Sequence, residues 1–296
     1  MHQFNSLKFL LFLFLTILFS ACIDFDKGQV ENLSDGEVLK IGHGGSGFKR
    51  WLPFQALPAN SLGSIKKALA EEGVDGIEVD LQMTRDGKFV LYHDNELSSL
   101  TDLDGCISER SFNEVKGLSY QLEWPFNWFQ NERILSLEEL LTYFLTLEKF
   151  PYLHLDMRTY SNCNQLAANL KYEQAFLPTL HQTLSRYSIP KEKLLLISVT
   201  KESILIARNL NSPYHLSLEV ISDFEADLAW AIEHKVDYLT VKPRLLSAEK
   251  VKKAHQAGIQ IITFGAKSKS GNKKLLELNP DIVQTDNLSA LIELLN

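Results

Sequence analysis

From Val38 onward, apolar residues recur with two alternating periods. Short runs rich in Val, Ile and Leu at 38–43, 76–82, 88–93, 152–157, 193–199, 215–221, 238–242 and 259–264 predict strands. Between them, apolar positions fall at helical spacing over 61–72, 136–148, 163–187, 201–209, 223–234, 247–257 and 271–278. Ser136-Leu-Glu-Glu and Ser247-Ala-Glu-Lys open two of these stretches with a capping hydroxyl and early acids, as helix starts require. Strands alternating with helices predict an α/β domain with a parallel sheet. The eight runs between 38 and 264 predict closure into a single-domain (β/α)8 TIM barrel over 38–296. Residues 281–285 and 288–295 then read as a short extension and a final helix.

One stretch breaks the rhythm. Residues 95–133 lie between the third predicted strand and the helix beginning near Ser136, and they hold Trp124, Pro125, Phe126, Trp128 and Phe129. A long aromatic-rich insertion at this place reads either as a lid or substrate wall or as a self-packed loop sealing the barrel flank. The chain shows no internal repeat and no low-complexity tract.

At 45% apolar and 23% charged residues the composition is that of a soluble globular protein. A net charge of −7 without a Lys/Arg cluster argues against a nucleic-acid partner, because binding a phosphate backbone needs a concentrated basic surface. The first residues form a separate unit. Lys8 precedes an apolar run from Phe9 to Phe19, followed by Ser20, Ala21 and Cys22. That order predicts a secretory signal over 1–21, the run being too short for a bilayer span. Small residues abutting a cysteine resemble the lipobox of bacterial lipoproteins, although Phe19 replaces the usual aliphatic residue. The resemblance implies acylation of Cys22, a tether over 22–37, and a lipid-anchored location in the bacterial cell envelope, in the periplasm or at the cell surface. With Cys22 so assigned, Cys106 and Cys163 remain, and the sequence leaves open whether they pair. Nothing in the sequence points to a protein partner.

The chemistry concentrates between Gly76 and Asp94. Glu78 and Asp80 stand two apart on an apolar strand, so both side chains face one way while Ile77, Val79 and Leu81 face the other. Two carboxylates held that close repel unless a proton or a cation lies between them, which points to a hard divalent metal. Asp156 and Arg158 repeat the two-residue step on a later strand, His43 ends the first strand and His93 the third. In a barrel these groups gather at the carboxyl ends of the strands, where sites of this fold are built. Glu78, Asp80 and Asp156 are the candidate metal ligands and Arg158 the phosphate binder. His43 and His93 are the candidate proton carriers, the set expected of a metal-assisted phosphodiesterase. Lys242 and Phe264, at later strand ends, are further candidates for the pocket. Two other patterns fail on context. Gly42 to Gly47 has the glycine spacing of a dinucleotide fingerprint, but Pro53 and Pro58 interrupt any following helix and Glu78 lies too far on. Ser46 lacks the glycine two residues on that a nucleophile elbow needs, since position 48 is Phe.

His43, Asn60-Ser61-Leu62, Gly76-Ile77-Glu78-Val79-Asp80, Thr84-Arg85-Asp86-Gly87 and His93-Asp94, in this order, resemble the glycerophosphodiester phosphodiesterases. The likeness continues through Ile134 to Leu140 and His154 to Arg158 and ends in Gln284-Thr285-Asp286. It implies a (β/α) barrel, one divalent ion (Mg²⁺ or Ca²⁺), histidine acid/base catalysis, and release of sn-glycerol 3-phosphate and an alcohol from a small-molecule diester. It also implies attack by the substrate's own neighbouring hydroxyl, giving a cyclic phosphate that water then opens. Gly44 stands where the family commonly has Arg, Ala59 replaces the Glu of a Pro-Glu-Asn step, and Asp156 and Arg158 replace Glu and Lys. Lys49, Arg50 or Lys242 are the residues available to replace the missing arginine. Two alternatives remain beside this reading. One is a phospholipase-type enzyme acting on intact lipid or lysolipid, motivated by residues 124–129 and the tether. The other is a binding lipoprotein without turnover, motivated by Gly44 and Ala59.

Overall fold

The computed structural model describes residues 25, 30–48, 55–161, 163 and 166–296. The predicted signal, Cys22, Lys49 and Arg50 lie outside the described residues. Ten strands occur among them: β1 (Leu39–Gly42), β2 (Gly76–Met83), β3 (Phe89–Leu91), β4 (Leu135–Ser136), β5 (Tyr152–Met157), β6 (Leu194–Ser198), β7 (His215–Val220), β8 (Tyr238–Val241), β9 (Gln260–Ala266) and β10 (Ile282–Thr285). Eight are parallel and close on themselves in the order β1-β10-β9-β8-β7-β6-β5-β2, with Ile41 and Gly42 of β1 meeting Gly76 and Ile77 of β2. This is the predicted barrel, built from a different set of strands.

The run at 88–93 is not a barrel strand. β3 returns antiparallel along β2, pairing Leu81 with Leu91 and Met83 with Phe89, and β4 adds antiparallel to β3. The reason is connection length: the turn through Asp86-Gly87, with Gly87 at φ +75°, permits a hairpin, whereas a parallel neighbour needs a crossover of about a dozen residues. The eighth place is filled by β10, read from sequence as an extension, which pairs with β1 from Leu39/Ile282 to Gly42/Thr285 and with β9 on its other side.

Period-2 alternation sorts the side chains of each barrel strand. Outward Ile77, Val79 and Leu81 of β2, Leu153, Leu155 and Met157 of β5, and Leu216, Leu218 and Val220 of β7 pack beneath the helices in one continuous core. The helices over it include α1 (Leu62–Leu69), α2 (Leu137–Phe144) and α3 (Leu166–Leu184). Ser61 and Ser136 cap α1 and α2, and Glu139 completes the capping box of α2. Inward Ile41, Leu195, Ile197, Ile262 and Ile282 form a separate plug in the lower barrel. Above the plug the inward positions turn polar, and that change of chemistry places the site.

Two further pieces pack on this frame. Residues 30–37, within the stretch read as a tether, lie against the barrel base. Val30 joins Leu276, Val283 and Leu291 in a small cluster, the Asn32 amide donates to Pro280 O at 3.0 Å, and Leu33 N donates to buried Asp281 at 2.9 Å. The segment between β3 and β4 folds around Tyr92, Leu97, Ile107, Val115, Tyr120 and Ile134, leaving Trp124, Trp128 and Phe129 exposed. Cys106 in this segment is joined to Cys163, 57 residues away, with Cα atoms 6.2 Å apart. Loop-closure entropy for a crosslink of that span gives up to about 4 kcal/mol. Cys106→Ser is therefore expected to lower the urea-unfolding free energy by about 2–4 kcal/mol under non-reducing conditions, and to cost nothing further in a reductant. Among the described residues no helix is long and apolar enough to cross a membrane.

Candidate active site

β2 and β5 are neighbours in register, pairing Glu78 with His154 and Asp80 with Asp156. The inward step of each strand thus brings Glu78, Asp80 and Asp156 together, and one carboxylate oxygen from each lies within 4.8 Å of the others. Glu78 and Asp80 are both 2% exposed. Gly44 N donates to Glu78 Oε2 at 2.9 Å. Asn60 clamps Asp80 twice, its amide donating to Oδ2 at 2.8 Å and its carbonyl accepting from Asp80 N at 2.9 Å. Arg158 spans the other two oxygens: Nε meets Asp80 Oδ1 at 3.1 Å, one terminal nitrogen contacts that same oxygen, and this nitrogen lies 3.1 Å from Asp156 Oδ2.

The cluster carries more negative charge than one guanidinium neutralises. Burial and the Asp80 charge push the Glu78 carboxyl up to about 8. Burial also raises Asp156, to about 6, against the pull of Arg158 and with the help of Asp80 and Glu219. Asp80 moves down; burial opposes this, but Arg158, His93 and the Asn60 hydrogen bond outweigh it. Three converging oxygens, from two buried carboxyls and one partly buried, with Glu78 and Asp156 raised by burial and by neighbouring charge, are the donor set of a hard cation, so the residues fit a divalent metal.

His43 follows β1. Its Nδ1 lies 2.7 Å from Asp286 Oδ1, while Nε2 sits 3.9 Å from Glu78 Oε2. Burial would lower the imidazole, yet the Asp286 hydrogen bond and the Glu78, Asp286 and Asp80 charges raise it to about 9. His93 reaches the same mouth by the hairpin: Tyr92 N donates to Asp80 O at 3.1 Å, so the residue after it lands beside the acidic cluster. Its Nδ1 is 2.7 Å from Asp94 Oδ1, and that bond raises its affinity for protons. The Phe48 ring packs against both imidazoles, with centroids 4.7 Å from His43 and 5.1 Å from His93.

A cavity of about 250 Å³ is lined by His43, Glu78, His93, Asp156, Arg158, Lys242 and Phe264, which brings together every residue predicted for the catalytic, metal and phosphate roles except Asp80. Asp80 sits against Arg158 at its edge. Lys242 Nζ lies 3.4 Å from Glu219 and 5.9 Å from the Phe264 ring centroid. Sequence reasoning assigned no role to Asp286, Asn60, Glu219 or Gln284. Asp286 closes the family likeness at Gln284-Thr285-Asp286, but its role depends on 282–285 being a barrel strand beside β1 and not an extension.

Gly44 and Ala59, the two loop positions that differ from the family pattern, touch. Gly44 has φ +59°, and a Cβ there would lie 2.7 Å from Ala59 Cβ and 2.8 Å from the Phe48 ring. Its carbonyl also accepts from Asn60 N at 2.9 Å and Ser64 Oγ at 3.0 Å, which fixes the turn. Gly44→Ala is expected to cost about 1–3 kcal/mol in a denaturant titration, through the left-handed backbone and the close contacts.

Fold and site together define a (β/α)8-barrel protein with an acidic, histidine-flanked cavity at the carboxyl ends of its strands. Residues 48–290 match the model of the Glycerophosphoryl diester phosphodiesterase family, and the chain belongs to that family. It is 37% identical over 86 residues to glycerophosphodiester phosphodiesterase 1 of Mus musculus, an alignment covering 29% of this chain and 26% of that protein. It is 34% identical over 84 residues to the glycerophosphodiester phosphodiesterase of Caldanaerobacter subterraneus subsp. tengcongensis, covering 28% and 34%. The chain thus spans about a quarter to a third of the length of these curated relatives. Among solved structures, an Oleispira antarctica phosphodiesterase in complex with its product sn-glycerol 3-phosphate superimposes with a TM-score of 0.71 at 22% identity, over 87% of this chain and 95% of that one. At that identity the likeness speaks for the fold.

Proposed function

We propose that this protein is a metal-dependent glycerophosphodiester phosphodiesterase, hydrolysing its substrate to sn-glycerol 3-phosphate and an alcohol. The observation that carries the reading is the pair of imidazoles, each bonded through Nδ1 to a carboxylate, lining one cavity with the acidic triad. Glu78, Asp80 and Asp156 are the residues that would hold the cation, Mg²⁺ or Ca²⁺. When bound, it neutralises phosphoryl charge and polarises a phosphoryl oxygen.

The remaining work falls to the chain's own groups. Asp286 and Asp94 fix the orientation of His43 and His93 and leave each Nε2 to carry a proton. One imidazole takes the proton of the attacking oxygen as that oxygen bonds to phosphorus. The other delivers a proton to the alcohol oxygen as its bond to phosphorus breaks. With the glycerol hydroxyl as nucleophile, a cyclic phosphate forms; water then adds OH to phosphorus and H to the released ring oxygen. Arg158 and Lys242 line the cavity as cations facing phosphoryl charge, each tethered by carboxylates. The predicted lipid anchor at Cys22 would place this reaction at the cell envelope.

The test is turnover by purified protein, stripped of metal and then restored with Mg²⁺ or Ca²⁺, with glycerol 3-phosphate as the measured product. Release that depends on a restored cation is expected. Absence of release from any glycerophosphodiester in a headgroup panel with either ion would reject the reading.

A further inference from the structure

A second cavity of about 250 Å³ adjoins the first, and His93 lines both. Its chemistry is different. The walls are Phe48, Leu57, Ala59, Tyr92, Leu100 and Tyr120, with Asp94 beside His93. The polar atoms of these walls are already engaged. The Tyr92 hydroxyl donates to Leu97 O at 3.0 Å and lies 2.8 Å from Ser99 Oγ, the Tyr120 hydroxyl donates to Leu91 O at 3.4 Å, and Asp94 Oδ1 is held by His93. What faces the space is mostly hydrocarbon and ring carbon.

The cavity owes its room to small residues. Ala59 is the smallest wall residue, and Gly44, in contact distance of both Ala59 and Phe48, adds no side chain behind it. A cationic headgroup has little to recognise here. Tyr92 and Tyr120 line it but are 0% and 2% exposed, so they show it little of their rings and Phe48 is the main aromatic wall, short of the aromatic cage that holds a quaternary ammonium. The one carboxylate, Asp94, faces the space already paired through Oδ1 with the His93 imidazole.

We propose that this cavity receives an apolar group carried by the leaving alcohol of the diester, so that the protein prefers an alkyl or aryl alcohol over a cationic headgroup. The proposal rests on the phosphodiesterase reading above. In that reading an imidazole delivers the proton to the alcohol oxygen, and a substituent on an oxygen held at His93 lies at the entrance of the apolar space. Burying an uncharged group there removes apolar surface from water, whereas burying a cation strips its hydration without a partner in return.

The test compares two diesters of sn-glycerol 3-phosphate matched in shape, one with choline and one with its uncharged isostere 3,3-dimethylbutanol, using the full chain restored with Mg²⁺ or Ca²⁺. The expected result is a kcat/KM at least about ten-fold higher for the uncharged diester. Ala59→Phe, which fills the cavity, should bring the ratio of the two substrates close to one by lowering turnover of the uncharged diester. Leu57→Gln, which places an amide in the wall, should move the ratio in the same direction and covers the case in which the phenylalanine variant does not fold. Equal or faster cleavage of the choline diester by the parent protein overturns the proposal, as does a ratio unchanged in folded variants. Cleavage without discrimination rejects the cavity assignment alone; failure to cleave either diester rejects the phosphodiesterase reading and the assignment with it.

Discussion

Replacing His43 by alanine is expected to lower kcat/KM on a glycerophosphodiester by about 10²–10⁴-fold while leaving the circular dichroism spectrum unchanged. The size of the effect follows from what the imidazole touches. It follows the last residues of β1, bonded to Asp286 on one nitrogen and facing Glu78 with the other, so its loss removes a proton carrier without opening the apolar plug below. Asp286→Asn separates orientation from chemistry. The amide can still meet Nδ1, but it removes the negative charge that favours the protonated ring, so kcat should fall more than KM changes. Activity of His43→Ala within three-fold of the parent would assign the proton transfers elsewhere.

The second large effect concerns the carboxylates. Glu78→Gln is expected to abolish measurable turnover and weaken cation binding by about 10²-fold or more, as read by calorimetric titration, because it removes one of three converging oxygens. The same change should behave differently in the absence of cation. The Glu78 carboxyl is raised to about 8 by burial and by Asp80, so at neutral pH the metal-free protein must take up a proton there to fold; a neutral amide removes that cost and leaves the metal-free protein as stable as its parent or more so. The parent should gain about 2.7 kcal/mol at a cation concentration 100 times its dissociation constant, and the variant should gain almost none. A parent protein whose melting temperature responds to neither Mg²⁺ nor Ca²⁺ would remove the metal from the mechanism.

The pattern of apolar positions carried the barrel and most of the site, and its failures have physical causes. Strand periodicity alone put Glu78, Asp80 and Asp156 on inward faces, because residues two apart in a strand share a side whatever the neighbouring strand is. It could not tell the direction of a strand. Phe89–Leu91 and Ile282–Thr285 are both short apolar runs, and only the length of the preceding connection distinguishes a hairpin return from a barrel member. Exchanging these two strands left the barrel count unchanged but hid Asp286, whose role depends on β10 lying beside β1. The Asn60 clamp on Asp80 and the Glu219 contact to Lys242 join residues far apart in the chain, and no local pattern announces such pairs. The Cys106–Cys163 pairing was undecided for the same reason, since spacing along the chain gives no distance across it.

The docking of residues 30–37 on the barrel base gives the two ends of the barrel separate tasks. The chain enters β1 from below and His43 comes after the far end of that strand, so the docked segment and the chemistry occupy opposite poles of the barrel, and a change in one reaches the other only through the strands between.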